Sequence, residues 1–235
     1  MKNDYYKRFE AELKTAREYE LNTGKKKTLL LHSCCAPCST AVIDAVKDYF
    51  DVTVFYYNPN ITDGGEYSKR LEEQKSYCKK LGIPVIEGLY DTKEFFTAIK
   101  GKEHIKEGGE RCFSCYLLRL NATKSKADEL EYDYFCSTLS LSPYKNADKL
   151  NDIGESLVKY LDNGDVIGAK YLYNDFKKKN GYLNSIKLSE KFGLYRQNYC
   201  GCIFSKLEAE EERAAKRAEN EAAETADKEN KGETR

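Results

Sequence analysis

The sequence predicts an α/β fold: a parallel sheet with crossover helices. Three observations carry this. Short apolar runs, "TLLLHS", "VTVFYYNP", "IPVIEG" and "YDYFCST", recur along the chain. Between them lie segments whose apolar residues repeat at helical spacing. Strands that alternate with helices in this way run parallel, because each helix returns the chain to the starting edge of the sheet.

The elements follow in order. Residues 4–21 carry Tyr5, Phe9, Leu13 and Ala16 at helical spacing before "NTGKKK" ends the helix. "TLLLHS" is a short buried strand, and the cysteine-rich loop after it leads into "STAVIDAVKDYF", a helix with Ser39 as its cap and Ala41, Val42, Ala45, Val46 and Tyr49 facing the sheet. "VTVFYYNP" is the second strand, closed by Asn58-Pro59. "EYSKRLEEQKSYCKKLG" is helical, with Tyr67, Leu71, Gln74, Cys78 and Leu81 on one face; "IPVIEG" is strand and "TKEFFTAIKG" helix. "CFSCYLLRLNATKSKADEL" is a long helix, "YDYFCST" the fourth strand, and "NADKLNDIGESLVKYL" a helix with an Asn cap. Residues 171–195 mix aromatics and lysines without a clear period. The organisation is a single α/β domain over 1–205 and a charged tail over 206–235, solvated as a fraying helix or disordered.

The 235-residue chain has nine cysteines and equal numbers of acidic and basic residues, 39 each. Ten acidic and six basic residues lie beyond Lys206, which leaves the remainder mildly basic, with 33 basic against 29 acidic. That charge permits an RNA partner without requiring one. No apolar run reaches the roughly 18 residues of a membrane span, and the first residues, "MKNDYYKRFEAELK", have no signal-peptide core, so a cytoplasmic protein with no membrane partner is expected. In a reducing compartment, clustered thiols are metal ligands or catalytic groups more often than a disulfide framework.

Seven of the nine cysteines fall into three groups: Cys34-Cys35-x-x-Cys38, Cys112-x-x-Cys115 and Cys200-Gly201-Cys202. Cys78 is read as helix packing and Cys136 as a buried strand thiol. The first two groups suit a structural zinc site or an iron-sulfur cluster, since both gather thiolates from short motifs. The cluster fits better, because adjacent cysteines are awkward in a zinc knuckle and a fold of this size needs no metal staple. Cys112 and Cys115, a turn apart at a helix start, present both sulfurs to one side, and Gly108-Gly109 lets the backbone come close. Cys200 and Cys202 can close only a small, strained and readily reduced disulfide, or else serve as two more ligands. In parallel sheets ligands bind beyond the carboxyl ends of the strands, where the loop of Cys34, Asn58-Pro59 and "CSTLSLSP" should meet.

"LLLHSCCAPCST", "GGERCFSCYLLRL", "FCSTLSLSPYKN" and "YRQNYCGCIFS", in this order, resemble the QueH-type epoxyqueuosine reductases over roughly Thr28 to Ser205. The resemblance implies a Rossmann-like domain. It also implies the last step of queuosine synthesis, in which epoxyqueuosine at the wobble position of a tRNA anticodon is reduced with loss of water. It implies a [4Fe-4S] cluster on Cys34, Cys35, Cys112 and Cys115, and a redox-active disulfide between Cys200 and Cys202. Cys38 is either the ligand of one additional metal ion or a thiol beside the site. No cobalamin or flavin motif is evident, so the metal and thiols must supply the reducing equivalents, with Cys200 and Cys202 relaying electrons from an external donor. Tyr144, Tyr195, Tyr199 and His32 are candidate proton sources, with His32 read first as a hydrogen-bonded core residue. Tyr195, Arg196 and Tyr199 are candidates for stacking on RNA bases, and Lys145, Lys170 and Lys177 to Lys179 for phosphates. Two competing readings remain: a zinc-bearing tRNA-binding module without redox activity, and a tRNA sulfur-transfer enzyme, against which the missing phosphate loop counts.

Overall fold

The computed structural model describes residues 4–232, with side-chain surroundings through Asn220. Its centre is a five-stranded parallel sheet in the order β3-β2-β1-β4-β7, from β1 (Lys27–His32), β2 (Phe50–Tyr56), β3 (Val85–Glu87), β4 (Tyr134–Ser137) and β7 (Lys170–Tyr171). Central β1 pairs Leu29 with Val52 on one side and with Tyr134 on the other. Leu29, Leu30 and Leu31 are fully buried, the continuous apolar run expected of a strand covered on both faces. The flanking helices are α1 (Tyr5–Thr23), α2 (Ala36–Val46), α3 (Gly64–Leu81), α4 (Thr92–Ala98), α5 (Glu110–Glu129), α6 (Ala147–Ser156) and α7 (Gly181–Phe192). α2 packs against α3 and α7, and α5 against α4 and α6.

Two local expectations are corrected. α2 begins at Ala36 with Cys35 in the cap position, so Ser39 lies inside the helix and its hydroxyl donates to the Ala36 carbonyl at 2.9 Å. The cause is Pro37, whose fixed φ and missing N–H suit the first turn. The helix after Asn146 ends at Ser156, and Lys159–Tyr160 (β5) pairs antiparallel with Val166–Ile167 (β6). Asn163-Gly164 forms the tight turn of that ribbon, with the Leu161 N–H on the Asp165 carbonyl at 2.8 Å.

Within residues 171–195, where no period was evident, the structure has the end of β7 and all of α7. α8 (Ile203–Gly232) follows the last cysteines, and residues 210–220 on it are exposed. The final residues of the expected tail, 233–235, lie outside the described residues.

The core admits little change. A Cβ at Gly154 on α6 would lie 2.2 Å from the Tyr171 ring, which is itself fully buried. Gly154→Ala should therefore cost about 1–3 kcal/mol by overpacking, read as a lower urea midpoint at unchanged slope.

Candidate metal and redox site

The cysteine loop follows from the end of β1. After His32 the chain turns through Ser33 and Cys34 into α2, which puts Cys35 at the helix cap and Cys38 in its first turn. The sulfurs of Cys34, Cys35 and Cys38 all lie within 4.8 Å of one another, a group able to hold a metal ion. Cys34 Sγ is 3.8 Å from Cys35 Sγ and 3.7 Å from Thr138 Oγ1, at the carboxyl end of β4. Asn58, after β2, donates to the Ser33 carbonyl at 2.9 Å. The three loops thus meet at one edge of the sheet. From α3, Gln74 accepts from the Ser33 hydroxyl at 2.8 Å and donates to Ser39 Oγ at 3.1 Å, pinning the loop from below.

The three thiols titrate together. Hydrogen bonds from Cys35 and Cys38 hold Cys34 well below the ordinary thiol value against its burial, and the charge of Arg119 adds to them. Cys35 and Cys38 are pushed up in return, first by Cys34.

Cys112 stands in the first turn of α5 and Cys115 in the second, and both line one small cavity that also receives Cys200 and Cys202. The Gly108 N–H reaches Cys112 Sγ at 3.3 Å, the close approach expected of Gly108-Gly109. The helix start does not yield ready thiolates. Burial pushes both thiols up, Cys115 to about 12, and outweighs the Lys145 charge and the Gly108 N–H acting on Cys112. At a mutual spacing of 4.8 Å, neither Cys112 nor Cys115 joins the group around Cys34.

Gly201 has φ +123°, a region that favours glycine, and a Cβ there would lie 2.8 Å from Ile61 Cγ1. Its neighbours are free thiols of unequal exposure: Cys202 is buried with Phe95, Ile99 and Cys115, and Cys200 is half-buried. Arg70, only 1% exposed, clamps this loop. Its Nη1 donates to the Cys200 carbonyl at 3.1 Å while its Nε pairs with Glu66 at 2.6 Å.

Cys200 also lines a second, wider cavity of about 540 Å³, together with Cys34, Cys38, Arg70, Lys145, Arg196 and Tyr199. That volume lies within the range of roughly 300–1,000 Å³ usual for small-molecule sites. Tyr144 is 76% exposed on its lining. Glu208, from α8, pairs with the buried Arg111 at 2.7 Å and accepts the Glu107 N–H at 2.8 Å, closing the wall.

The other candidates sort plainly. Cys78 and Cys136 are fully buried core residues. His32 is buried with Nδ1 2.7 Å from Ser137 Oγ and Nε2 3.0 Å from the Tyr57 carbonyl, and burial, then Arg119, lower its pKa to about 4. Lys145 is not a surface lysine: it is 7% exposed, lines both cavities and pairs with Glu107. Lys170 pairs with Glu12 and Lys177 with Asp175. Arg196 donates to Ser189 Oγ at 3.0 Å. Sequence reasoning missed Arg70 and Arg119, whereas Asn58 was expected at this edge and is found there. Gln74 was visible as one polar side chain on the apolar face of α3.

Fold and site together define a Rossmann-like α/β protein that gathers cysteines at the carboxyl edge of its sheet, three of them able to hold a metal ion. The sequence profile of the family described as epoxyqueuosine reductase QueH matches residues 29–208. Proteins named epoxyqueuosine reductase QueH are similar to this chain along most of its length. That of Streptococcus pyogenes serotype M1 is 38% identical over 184 residues, 76% of this chain and 70% of the relative. That of Staphylococcus aureus (strain Mu50) is 39% identical over 188 residues, 77% and 76% of the two chains. That of Thermotoga maritima is 37% identical over 190 residues, 80% and 94%. The chain belongs to the epoxyqueuosine reductase QueH family, and it is an oxidoreductase of queuosine biosynthesis.

Proposed function

We propose that this chain reduces epoxyqueuosine to queuosine at the wobble position of tRNA anticodons, with a [4Fe-4S] cluster on Cys34, Cys35, Cys112 and Cys115 and with Cys200 and Cys202 as its redox-active pair. Cys38 is the ligand of one additional metal ion beside that cluster. The observation that carries the reading is the position of Cys200, which lines both the small thiol cavity and the wide cavity containing Cys34 and Cys38.

The residues suit a cluster in two respects. The donors are soft thiols, three of them within 4.8 Å of each other. The buried guanidinium of Arg119 lines the small cavity, and among the described residues both its terminal nitrogens lack a hydrogen-bond partner, so the surroundings favour an anionic group. When bound, a cluster supplies electrons one at a time.

The chain's own groups account for the overall balance. Converting the epoxide to the alkene takes two electrons and two protons and releases water. Two thiols that close to one disulfide give up that many electrons and protons, so Cys200 and Cys202 match a single turnover. An external donor must then reopen the pair. Arg70 keeps Cys200 at the cavity wall through the loop backbone, and Cys202 stays out of solvent beside Cys115. Tyr199 and Arg196, on the lining of the wide cavity, are the groups placed to stack on a base of the anticodon loop, and Tyr144, exposed on the same lining, is a candidate proton source.

The test uses anaerobically reconstituted protein, a chemical reductant and tRNA from cells that accumulate the epoxide. The expected product nucleoside is lighter by one oxygen atom. An unchanged nucleoside mass with fully loaded protein contradicts the proposal.

A further inference from the structure

Three arginines on the helices around the thiols are almost wholly buried, Arg70, Arg111 and Arg119. Arg70 is paired with Glu66, and Arg111 with Glu208. Arg119 differs. It sits on α5 one turn beyond Cys115, is 1% exposed, and has no carboxylate partner among the described residues. Its Nε donates to the Cys115 carbonyl at 3.3 Å, while Nη1 and Nη2 are buried without a hydrogen-bond partner among the described residues.

A guanidinium in that state has lost its hydration and regained one hydrogen bond, at Nε, with none at its two terminal nitrogens, a costly arrangement in a folded chain. Such a residue is tolerated where an anion completes it. The groups around Arg119 are sulfurs from all three cysteine groups. Burial works against its charge, but Cys115, Cys200 and Cys34 together outweigh it, and Arg119 in turn eases ionisation of Cys34 and Cys115. Its cavity is shared with Cys112, Cys115, Cys200 and Cys202.

We infer that Arg119 is the fixed counter-charge of the metal-thiolate centre, offering its two terminal nitrogens to the anion that the cysteines assemble and holding the reduction potential of that centre up. The inference rests on the cluster reading above. It is a positioning and tuning role: arginine stays protonated throughout, so nothing depends on its titration. Each electron added to the centre adds a negative charge, and a nearby fixed cation stabilises the reduced form more than the oxidised one.

The experiment compares wild type with Arg119→Met, Arg119→Gln and Arg119→Lys after anaerobic reconstitution. It reads iron and sulfide content, the midpoint potential by optical redox titration, and the Tm of the metal-free proteins. The neutral variants should show at least a tenfold smaller equilibrium constant for reduction, about 59 mV more negative for a one-electron couple. Arg119→Lys should stay within threefold of wild type. Metal-free Arg119→Met should melt at or above wild type, since an uncompensated charge has been removed. Neutral variants that fold but take up no iron, beside a Lys variant that loads, also support the role. Loaded Met or Gln variants with a potential within twofold of wild type overturn it, as does a metal-free Met variant that melts well below wild type or does not fold. Wild-type protein that takes up no iron and sulfide overturns instead the reading on which the inference rests.

Discussion

Cys200→Ser should lose about 10³-fold or more of its turnover of epoxyqueuosine tRNA while keeping its iron and sulfide. Serine is nearly isosteric but cannot form a disulfide, so the two-electron step loses its reductant and little else changes. The backbone of this segment is held independently of the sulfur, by Arg70 on the Cys200 carbonyl and by the Thr62 N–H on the Gly201 carbonyl at 3.2 Å. The loop geometry should therefore survive the substitution. The measurement pairs a nucleoside mass assay with iron and sulfide analysis on the same preparation. If the variant loses its iron, Cys200 belongs among the ligands and the assigned division of labour is wrong.

Cys34→Ala should have the other large effect, on loading itself. Cys34 is the thiol of its group most readily ionised, and its sulfur lies 3.7 Å from Thr138 Oγ1 and 3.8 Å from Cys35 Sγ. Removing it takes away a ligand, and with it the one thiol of the group held low. Iron affinity should fall by more than the roughly 10–100-fold typical of losing a hydrogen-bond partner of a ligand, with activity falling alongside. Cys38→Ala is the companion variant: it should retain the cluster iron and sulfide and lose only the additional metal. Equal loading of wild type and Cys34→Ala after anaerobic reconstitution would exclude Cys34 as a ligand.

Much of the fold was legible because β1, β2, α1 and α3 bury regular apolar stripes whose period is visible in one dimension. α7 was not. It packs on α2, and its fully buried residues are Ser185 and Ser189, whose hydroxyls donate to the backbone at 2.7 and 2.6 Å, while Leu188 and Phe192 are only partly buried, so its apolar signal is weak. β7 is two residues long, and its pairing with β4 is a tertiary event. At the site, the cysteines announced themselves by spacing. The charges supporting them did not, because Arg70, Arg119 and Lys145 lie on segments whose lysines and arginines ordinarily face water. Only packing reveals that these three are enclosed. Glu208 shows the same limit: it stands in the charged segment after Ser205, yet it completes the wall through Arg111.

The central claim is that cysteines from three distant stretches serve one redox metal centre at the carboxyl edge of the sheet. Metal and sulfide analysis of protein purified without oxygen tests it most directly. Brown protein containing iron and acid-labile sulfide in equal amounts is the expected result; colourless protein holding only zinc contradicts the claim.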